Sequence, residues 1–184
     1  MHVKNLTRGA LLVAIGVALP QVFHLAGGAG PVFLPMHIPV LLAGLLVCPW
    51  AGLYVGFLAP LISHFATGMP PLAPIPMLIL MLVELPVMGV TAAWLFRKAN
   101  LNIAFALPGA MLAGRIALGT AVFVLVRWFG YTMLPANPLF FIQGAVLTGM
   151  PGIALQLALI PALVSGVERG NRRWGETSRL LGRH

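Results

Sequence analysis

The sequence predicts an all-α membrane protein, a bundle of six transmembrane helices with both termini on the cytoplasmic side. Hydrophobic residues make up 60% of the 184-residue chain and charged residues only 8%, whereas a soluble domain carries about 25% charged residues. The apolar runs do not alternate with polar residues as the strands of a β-barrel would. Helices are favoured in lipid because they satisfy their own backbone groups. Finally, the basic residues cluster between the apolar runs.

The first three predicted helices are separated by residues that end helices. A stretch rich in glycine, 26–31, follows the first apolar run, and Pro49 divides the next two runs. The second run is shorter than the roughly 20 residues that a perpendicular span needs. A tilted, kinked or partly re-entrant segment is therefore predicted there. These three helices are predicted over residues 7–25, 36–47 and 50–66.

Three longer helices follow, and a basic tail completes the chain. A proline-rich stretch, 67–74, predicts a tight connection, Arg97 and Lys98 end the fourth helix, and a loop at 130–140 precedes the sixth. No internal repeat or soluble linker divides residues 1–184, which are therefore predicted to form a single domain. The helices are predicted over residues 75–96, 103–129 and 141–167, and the basic cytoplasmic tail over 168–184.

The positive charges support the topology. Eleven Lys and Arg against three Asp and Glu give a formal charge of +8, which by itself would suit a nucleic-acid-binding protein. Their positions argue against a nucleic-acid partner, because nine of the eleven flank apolar runs, as the positive-inside rule requires. Six spans place these basic groups on one side of a plasma membrane, whereas an odd number would place the tail outside. The nine are Lys4, Arg8, Arg97, Lys98, Arg169, Arg172, Arg173, Arg179 and Arg183.

Two charged residues lie deep inside the predicted helices. With a rise of about 1.5 Å per residue, Glu84 lies about 14 Å into the fourth helix, and Arg115 about 21 Å from the outer end of the fifth. A charge at the bilayer centre costs about 2.5–3.5 kcal/mol, so each needs a partner or a water-filled cavity. One interpretation is a structural ion pair that locks two helices together. The other is a cavity where Arg115 binds a substrate anion and Glu84 orients its guanidinium group or accepts substrate hydroxyls.

Uncharged residues add a candidate cavity residue and a candidate helix-contact face. Gln156, midway along the sixth helix, either faces the same cavity or makes an interhelical hydrogen bond. Ala10, Ala14 and Ala18 recur at every fourth position of the first helix and therefore share one face. Small side chains on such a face let another helix approach closely, either within the bundle or from a partner.

No motif in the chain predicts catalysis, a cofactor or a metal. There is no GxSxG, no HExxH and no phosphate-binding glycine loop. Cys48 is the only cysteine, and the histidines lack the short spacing of a metal site. We therefore expect no enzyme, no catalytic residue, no cofactor and no metal. Without a nucleotide site, uphill transport would draw its energy from a partner or from an ion gradient.

Four stretches carry a resemblance to a known family. They are the Ala10-x-x-x-Ala14 spacing, residues 35–44 (PMHIPVLLAG), residues 67–74 (TGMPPLAP) and Ala113-Gly114-Arg115. Together with the length and the basic ends, they resemble a substrate-binding S component of an energy-coupling factor (ECF) vitamin importer. The resemblance covers nearly the whole chain. The two proline-rich stretches look most like the branch that includes pantothenate S components.

The resemblance also implies how the protein functions in transport. An S component binds a vitamin or precursor from outside, and associates with a transmembrane T component and two ATPase subunits that supply the energy. The alanine face of Ala10, Ala14 and Ala18 would then dock on the T component. The cavity would be formed by outer parts of helices four to six and by loops after helices one, three and five. The residues that the resemblance places there are His37, Glu84, Arg115, Asn137, Gln143 and Gln156.

Alternatives remain open for the identity of the substrate and for the class of transporter. One buried Arg favours a small carboxylate, so pantothenate ranks first, another small carboxylate such as lipoate or niacin second, and a nucleobase-like precursor such as that of queuosine third. A stand-alone ion-coupled carrier, with Glu84 as its protonated group, is a different hypothesis. A membrane scaffold in which Glu84 and Arg115 are purely structural is another.

Overall fold

The computed structural model describes residues 3–25, 30–135 and 137–181. All regular secondary structure in this part of the chain is helical, which confirms the predicted fold class. Two of the helices end in a wider, π-helical turn. The helices are α1 (Val3–Leu25), α2 (Gly30–Phe33), α3 (His37–Leu42, with a π-helical turn at Ala43–Val47), α4 (Pro49–Thr67), α5 (Met77–Ala93, with a π-helical turn at Trp94–Lys98), α6 (Ile103–Phe129) and α7 (Pro138–Leu181).

Five of these helices, α1, α4, α5, α6 and α7, are long and apolar enough to cross a membrane. The remaining apolar helix, His37–Val47, is too short to do so alone. At about 1.5 Å per residue it rises about 17 Å, roughly half of the 30 Å hydrocarbon core of a bilayer. The prediction of six complete spans is therefore not confirmed. The second predicted span is a short helix, as the length of its apolar run indicated.

The short helix α3 lies in the core of the bundle. Val40, Leu41 and Ala43 have no exposed surface, and α3 with its π-helical turn contacts α1, α4 and α5. An apolar helix that is buried on all sides needs no polar face, which agrees with the uninterrupted apolar run at this point of the sequence. A second, smaller core joins α5 to α6 around Leu80 and Val122.

Glycine, proline and asparagine determine where several helices begin and end. Cys48 is extended, and Pro49 opens α4 at a position where the missing N–H costs nothing. Gly68 and Gly130 end α4 and α6 in the left-handed conformation that glycine adopts without strain. The Asn102 side chain accepts a hydrogen bond from the Ala104 N–H at 3.1 Å and caps α6.

Glycine residues on α4 and α5 bring the two helix backbones into contact. A Cβ atom on Gly89 would lie 2.7 Å from the Gly52 carbonyl oxygen, and one on Gly56 would lie 2.6 Å from the Pro86 nitrogen. These contacts are with backbone, which cannot move aside as a flexible side chain does. Small residues at a helix contact allow this backbone approach in membranes. The pairing of α4 with α5 therefore depends on these glycines.

We expect Gly89→Ala to destabilise the folded protein by about 1–3 kcal/mol, because the added methyl group meets the Gly52 backbone. The measurement is the temperature at which the detergent-purified protein leaves the monodisperse peak in size-exclusion chromatography. Gly166→Ala is the matched control, since nothing lies within 4 Å of a Cβ atom there. Equal melting temperatures for the two variants would contradict the glycine contact.

The two ends of the bundle differ in character. Arg8, Val47, Arg97 and Val167 line a groove at one end, which we call the basic end. We call the opposite end the cavity end. It contains two hollows that are both lined by Leu34. The segment after α4 lines one of them, and the segment after α6 lines the other. Helix α1 therefore begins at the basic end, and the π-helical turn of α3 ends there. Helix α3 thus runs in the opposite direction to α1, although it is short.

The last helix is longer than the sequence predicts. It starts at Pro138, three residues before the predicted 141, and continues past 167 to Leu181. The basic stretch predicted as a tail from 168 is therefore helical up to Leu181. Residues 182–184 lie outside the described part of the chain. Only Pro138–Val167 of α7 has the composition of a membrane span.

Candidate functional site

Glu84 and Arg115 form a buried ion pair between α5 and α6. Arg115 Nη1 donates to Glu84 Oε1 at 2.7 Å, with side-chain exposures of 12% and 5%. Gly114 permits the approach, since a Cβ atom there would lie 3.2 Å from Met88 Cβ and 3.5 Å from Glu84 Cγ. The structure thus brings together the two intramembrane charges identified in the sequence. In a region of low dielectric such a pair is costly to break, about 3–5 kcal/mol when one partner is removed.

His37, at the first turn of α3, is the third member of this cluster. Its Nε2 atom lies 3.5 Å from Glu84 Oε1, close enough for a charge interaction but outside hydrogen-bond geometry. The residue is only 4% exposed, and neither ring nitrogen has a hydrogen-bond partner among the described residues. Buried polar atoms without partners are rare in folded proteins. Here they are donors or acceptors available to a bound molecule.

Two adjoining hollows lie beside the cluster; we call them the charged lobe and the apolar lobe, and together the hollow. The charged lobe, about 360 Å³, contains Glu84 and Arg115 and extends to α7. The apolar lobe, about 260 Å³, lies between α1, α3 and α4 and is closed in part by the segment 69–71. The two lobes share a wall formed by Leu34, His37, Met77 and Met81. Unbranched methionine side chains adapt readily to a neighbour, so this wall can adjust its shape.

Apart from the charged cluster, the hollow is lined almost entirely by apolar side chains. The charged lobe adds aromatic residues from the start of α7, with Thr148 as a further polar residue. Among the described residues that line the apolar lobe, only His37 and Ser63 are polar. Ser63 is fully buried and accepts a hydrogen bond from Gln21 at 3.5 Å. A few polar groups in a mainly apolar hollow of several hundred Å³ are typical of a small-molecule site.

Gln156 is fully buried but does not line either lobe. Its Nε2 atom donates to the Leu34 carbonyl oxygen at 3.4 Å, which also accepts from the His37 backbone N–H at 3.0 Å. Leu34 has a φ of 49°, a conformation that is strained for a bulky residue. The predicted cavity residue Gln156 thus supports the backbone just before His37. Its Oε1 atom has no partner among the described residues.

Asn137 and Gln143, the other two predicted cavity residues, lie on the exposed surface near the start of α7. The Asn137 side chain accepts a hydrogen bond from the Leu139 N–H at 3.0 Å and thereby caps α7. Neither side chain belongs to the described lining of the hollow. The helix face that lines it passes through Phe141, Gly144 and Thr148 instead, which places Gln143 to one side of that face.

Sequence reasoning missed most of the apolar lining. No pattern in the sequence analysis points to Met77, Met81, Ser63 or Thr148. A signal was present on α7, because positions 141, 144, 145 and 148 follow helical periodicity and include two small residues. On α5, Met77, Met81 and Glu84 also fall on one face. Helical periodicity counted from Glu84 would have identified Met77 and Met81.

The alanines of α1 lie on a surface separate from the hollow. Ala10, Ala14 and Ala18 are all exposed, whereas Gly9 and Gly16 face the bundle against Tyr54 and Ala59. The interpretation that the alanines pack within the bundle is therefore wrong. Their surroundings on α1 are apolar and equally open, with Leu11 62% and Ile15 40% exposed. The face is available to lipid or to another helix.

The fold and the site together define a class of protein. Several helices long enough for a membrane surround a hollow of ligand size, with a buried cationic group beside it and no soluble domain in the described residues. These features are those of a membrane protein that binds and transports a small solute.

The chain belongs to the ECF transporter, substrate-specific component family, whose model matches residues 4–164. It is therefore a multi-pass membrane protein and a substrate-specific subunit of a transporter, not a member of an enzyme family. The family implies a small-molecule substrate and association with ECF T and ATPase components. Comparison with curated proteins and with solved structures gives no significant match. The family match does not distinguish branches, so the pantothenate-type branch stays a prediction.

Proposed function

We propose that this subunit binds a small monocarboxylate with a largely apolar body, and that the carboxylate binds at Arg115. The observation that carries the proposal is the cluster of Arg115, Glu84 and His37 beside an otherwise apolar hollow. A charged head group requires the cluster, and an apolar body suits the remaining walls.

Arg115 has the chemistry to receive a carboxylate while it remains paired. A guanidinium group carries five N–H donors, and among the described residues Arg115 donates only to Glu84, through Nη1. The remaining donors are free to bind carboxylate oxygens in the planar, two-bond arrangement that arginine favours. Glu84 then orients the guanidinium group. His37, whose ring nitrogens lack partners, supplies a further hydrogen bond to the ligand.

The lining of the apolar lobe distinguishes between the carboxylate substrates that the sequence analysis ranks highest. Pantothenate carries two hydroxyl groups and an amide, and each polar group buried without a partner costs about 1–3 kcal/mol. Beyond the cluster, the described lining offers only Ser63 and Thr148 as polar side chains. A carboxylate with an aliphatic or dithiolane body, of which lipoate is an example, matches this lining better. Pantothenate, niacin and a queuosine precursor are the polar comparisons in the test.

We further propose that the basic end faces the cytoplasm and the cavity end faces the exterior. Arg8, Arg97 and Lys98 lie at or beside the basic end, and positive residues are retained on the cytoplasmic side. The substrate would then enter from outside between the segments that follow α2, α4 and α6. The exposed face of Ala10, Ala14 and Ala18 would be the surface that docks on the T component.

Mass spectrometry of molecules that co-purify with the protein tests the substrate class directly. Binding is then measured by titration calorimetry over a series of straight-chain monocarboxylates. We expect the affinity to rise about fourfold for each added methylene group, which is the gain from about 0.8 kcal/mol of buried apolar surface, until both lobes are full. The primary amide of the best acid is the matched control and should bind at least about a hundredfold more weakly.

Other results would contradict particular parts of the proposal. Tighter binding of pantothenate than of apolar acids of equal length would reject the apolar body and retain the carboxylate. Equal affinity for the acid and its amide would reject Arg115 as the anion site. In proteoliposomes, ligand accumulation should require the T and ATPase components. Accumulation by this chain alone, abolished when an ion gradient is collapsed, would favour the ion-coupled carrier instead.

A further inference from the structure

Another hollow lies at the basic end of the bundle, and it shares no lining residue with the two lobes beside the charged cluster. It is a groove of about 750 Å³ between α1, the end of α3, the end of α5 and α7. Its walls are apolar, and Leu11, Leu46 and Phe96 are among them. Leu11 is 62% exposed, so the groove opens on the surface that faces lipid. Leu11 lies beside the alanine face, so the groove borders that face, but the lining of the substrate site does not extend to it.

The polar residues of the groove are cationic. Arg8 from α1 and Arg97 from the end of α5 both line it, beside Asn100, and none of the described residues that line it is acidic. Glu84, the acidic residue of the membrane-spanning core, is already paired with Arg115. Two arginines therefore face a single groove whose described lining contains no acidic side chain. Arg8 and Arg97 are both exposed at this end of the bundle, and such a pair of cations favours an anion from outside the chain.

Arg97 is held in place before any ligand arrives. Its Nη1 atom donates to the Val47 carbonyl oxygen, at the last residue of the π-helical turn. A side chain that is already ordered loses less conformational entropy when it binds a ligand. Arg8 makes no side-chain hydrogen bond among the described residues, so its donors are available to the same anion.

We propose that the groove binds one anionic phospholipid molecule. The phosphate would lie between Arg8 and Arg97, because arginine matches the geometry of phosphate oxygens, and the acyl chains would run along the apolar walls near Leu11 and Phe96. Basic pockets between membrane helices bind anionic head groups by this chemistry. A free phosphate ion would leave the apolar walls empty, whereas a lipid uses both parts of the groove. The bound lipid would join α1 to the ends of α3 and α5.

Native mass spectrometry of the delipidated, detergent-solubilised full chain tests this proposal. Phosphatidylglycerol and phosphatidylcholine with identical acyl chains are added separately. We expect one phosphatidylglycerol to bind at least about tenfold more tightly than phosphatidylcholine, the effect of one or more charge-assisted hydrogen bonds. Arg8→Gln should abolish the preference. Arg127→Gln removes an exposed arginine at the other end of α6 and should leave it unchanged.

The variants separate the proposal from its alternatives. Arg97→Gln also removes the bond to Val47 and can disturb folding, so Arg8→Gln is the decisive change. Equal binding of the two lipids, or an unchanged preference in Arg8→Gln, would overturn the proposal. Full displacement of phosphatidylglycerol by excess inorganic phosphate would also overturn it, since the site would then be one for a free anion. Because these readouts do not involve substrate, they stand apart from the proposed carboxylate function.

Discussion

Replacement of Arg115 by glutamine should lower the affinity for a carboxylate ligand by at least about a hundredfold. Two charge-assisted hydrogen bonds to the carboxylate are lost, each worth about 1.5–3 kcal/mol, and glutamine supplies no charge to offset them. The measurement is titration calorimetry with the co-purified ligand or the best acid of the series. Arg127→Gln is the matched control on the same helix, because Arg127 is exposed and does not line the hollow.

Loss of folding would give the same result, so a second variant is needed. Arg115→Gln leaves Glu84 buried without its partner, at a cost of about 3–5 kcal/mol. The double variant Glu84→Gln/Arg115→Gln removes both charges and should recover most of that stability. We expect it to remain folded and still not to bind the carboxylate.

The double variant also separates the two interpretations of the ion pair. Wild-type affinity in that protein would mean that Glu84 and Arg115 serve only to join α5 to α6. An exchange of the two charges, Glu84→Arg/Arg115→Glu, gives a further check. Recovery of folding without carboxylate binding in the exchanged protein would show that binding needs the cation at the position of Arg115.

Replacement of Ala14 by tryptophan should stop uptake while ligand binding stays within about twofold of wild type. Ala14 is exposed on α1, remote from the hollow lining, and a bulky side chain there would prevent close approach of a partner helix. Uptake is measured in proteoliposomes that contain the T and ATPase components, and binding is measured on the isolated subunit.

The control for this experiment is another bulky change on the lipid-facing surface. Leu112 is 63% exposed on α6, so Leu112→Trp adds volume without touching the alanine face. We expect normal uptake in that variant. Normal uptake in Ala14→Trp would reject the docking surface, and loss of binding in it would mean that α1 is coupled to the hollow.

The membrane class, the helical fold and the pairing of Glu84 with Arg115 could all be predicted from the sequence. Each follows from a strong one-dimensional signal. Charged residues are too few for a water-facing surface, and a buried charge in lipid needs an opposite charge nearby. The sequence could not predict that the remaining polar residues lie outside the lining of the hollow. A rotation of a few tens of degrees around the helix axis decides whether a side chain faces a hollow or the outside. Gln143 is an example, since it lies beside the lining face of α7 and not on it.

What the sequence by itself determined is the number of apolar segments, their approximate limits and the energetic need to pair two charges. Tertiary structure decided the rest. Only the packing of the helices shows that α3 is a short core helix, that Gly52 and Gly89 bring two backbones together, and that His37 completes the cluster. The physical reason is the separation along the chain of the residues that each property involves. Hydropathy acts on each residue through its local solvent, whereas a cavity is the space left between segments far apart in the chain, and no single segment encodes its shape.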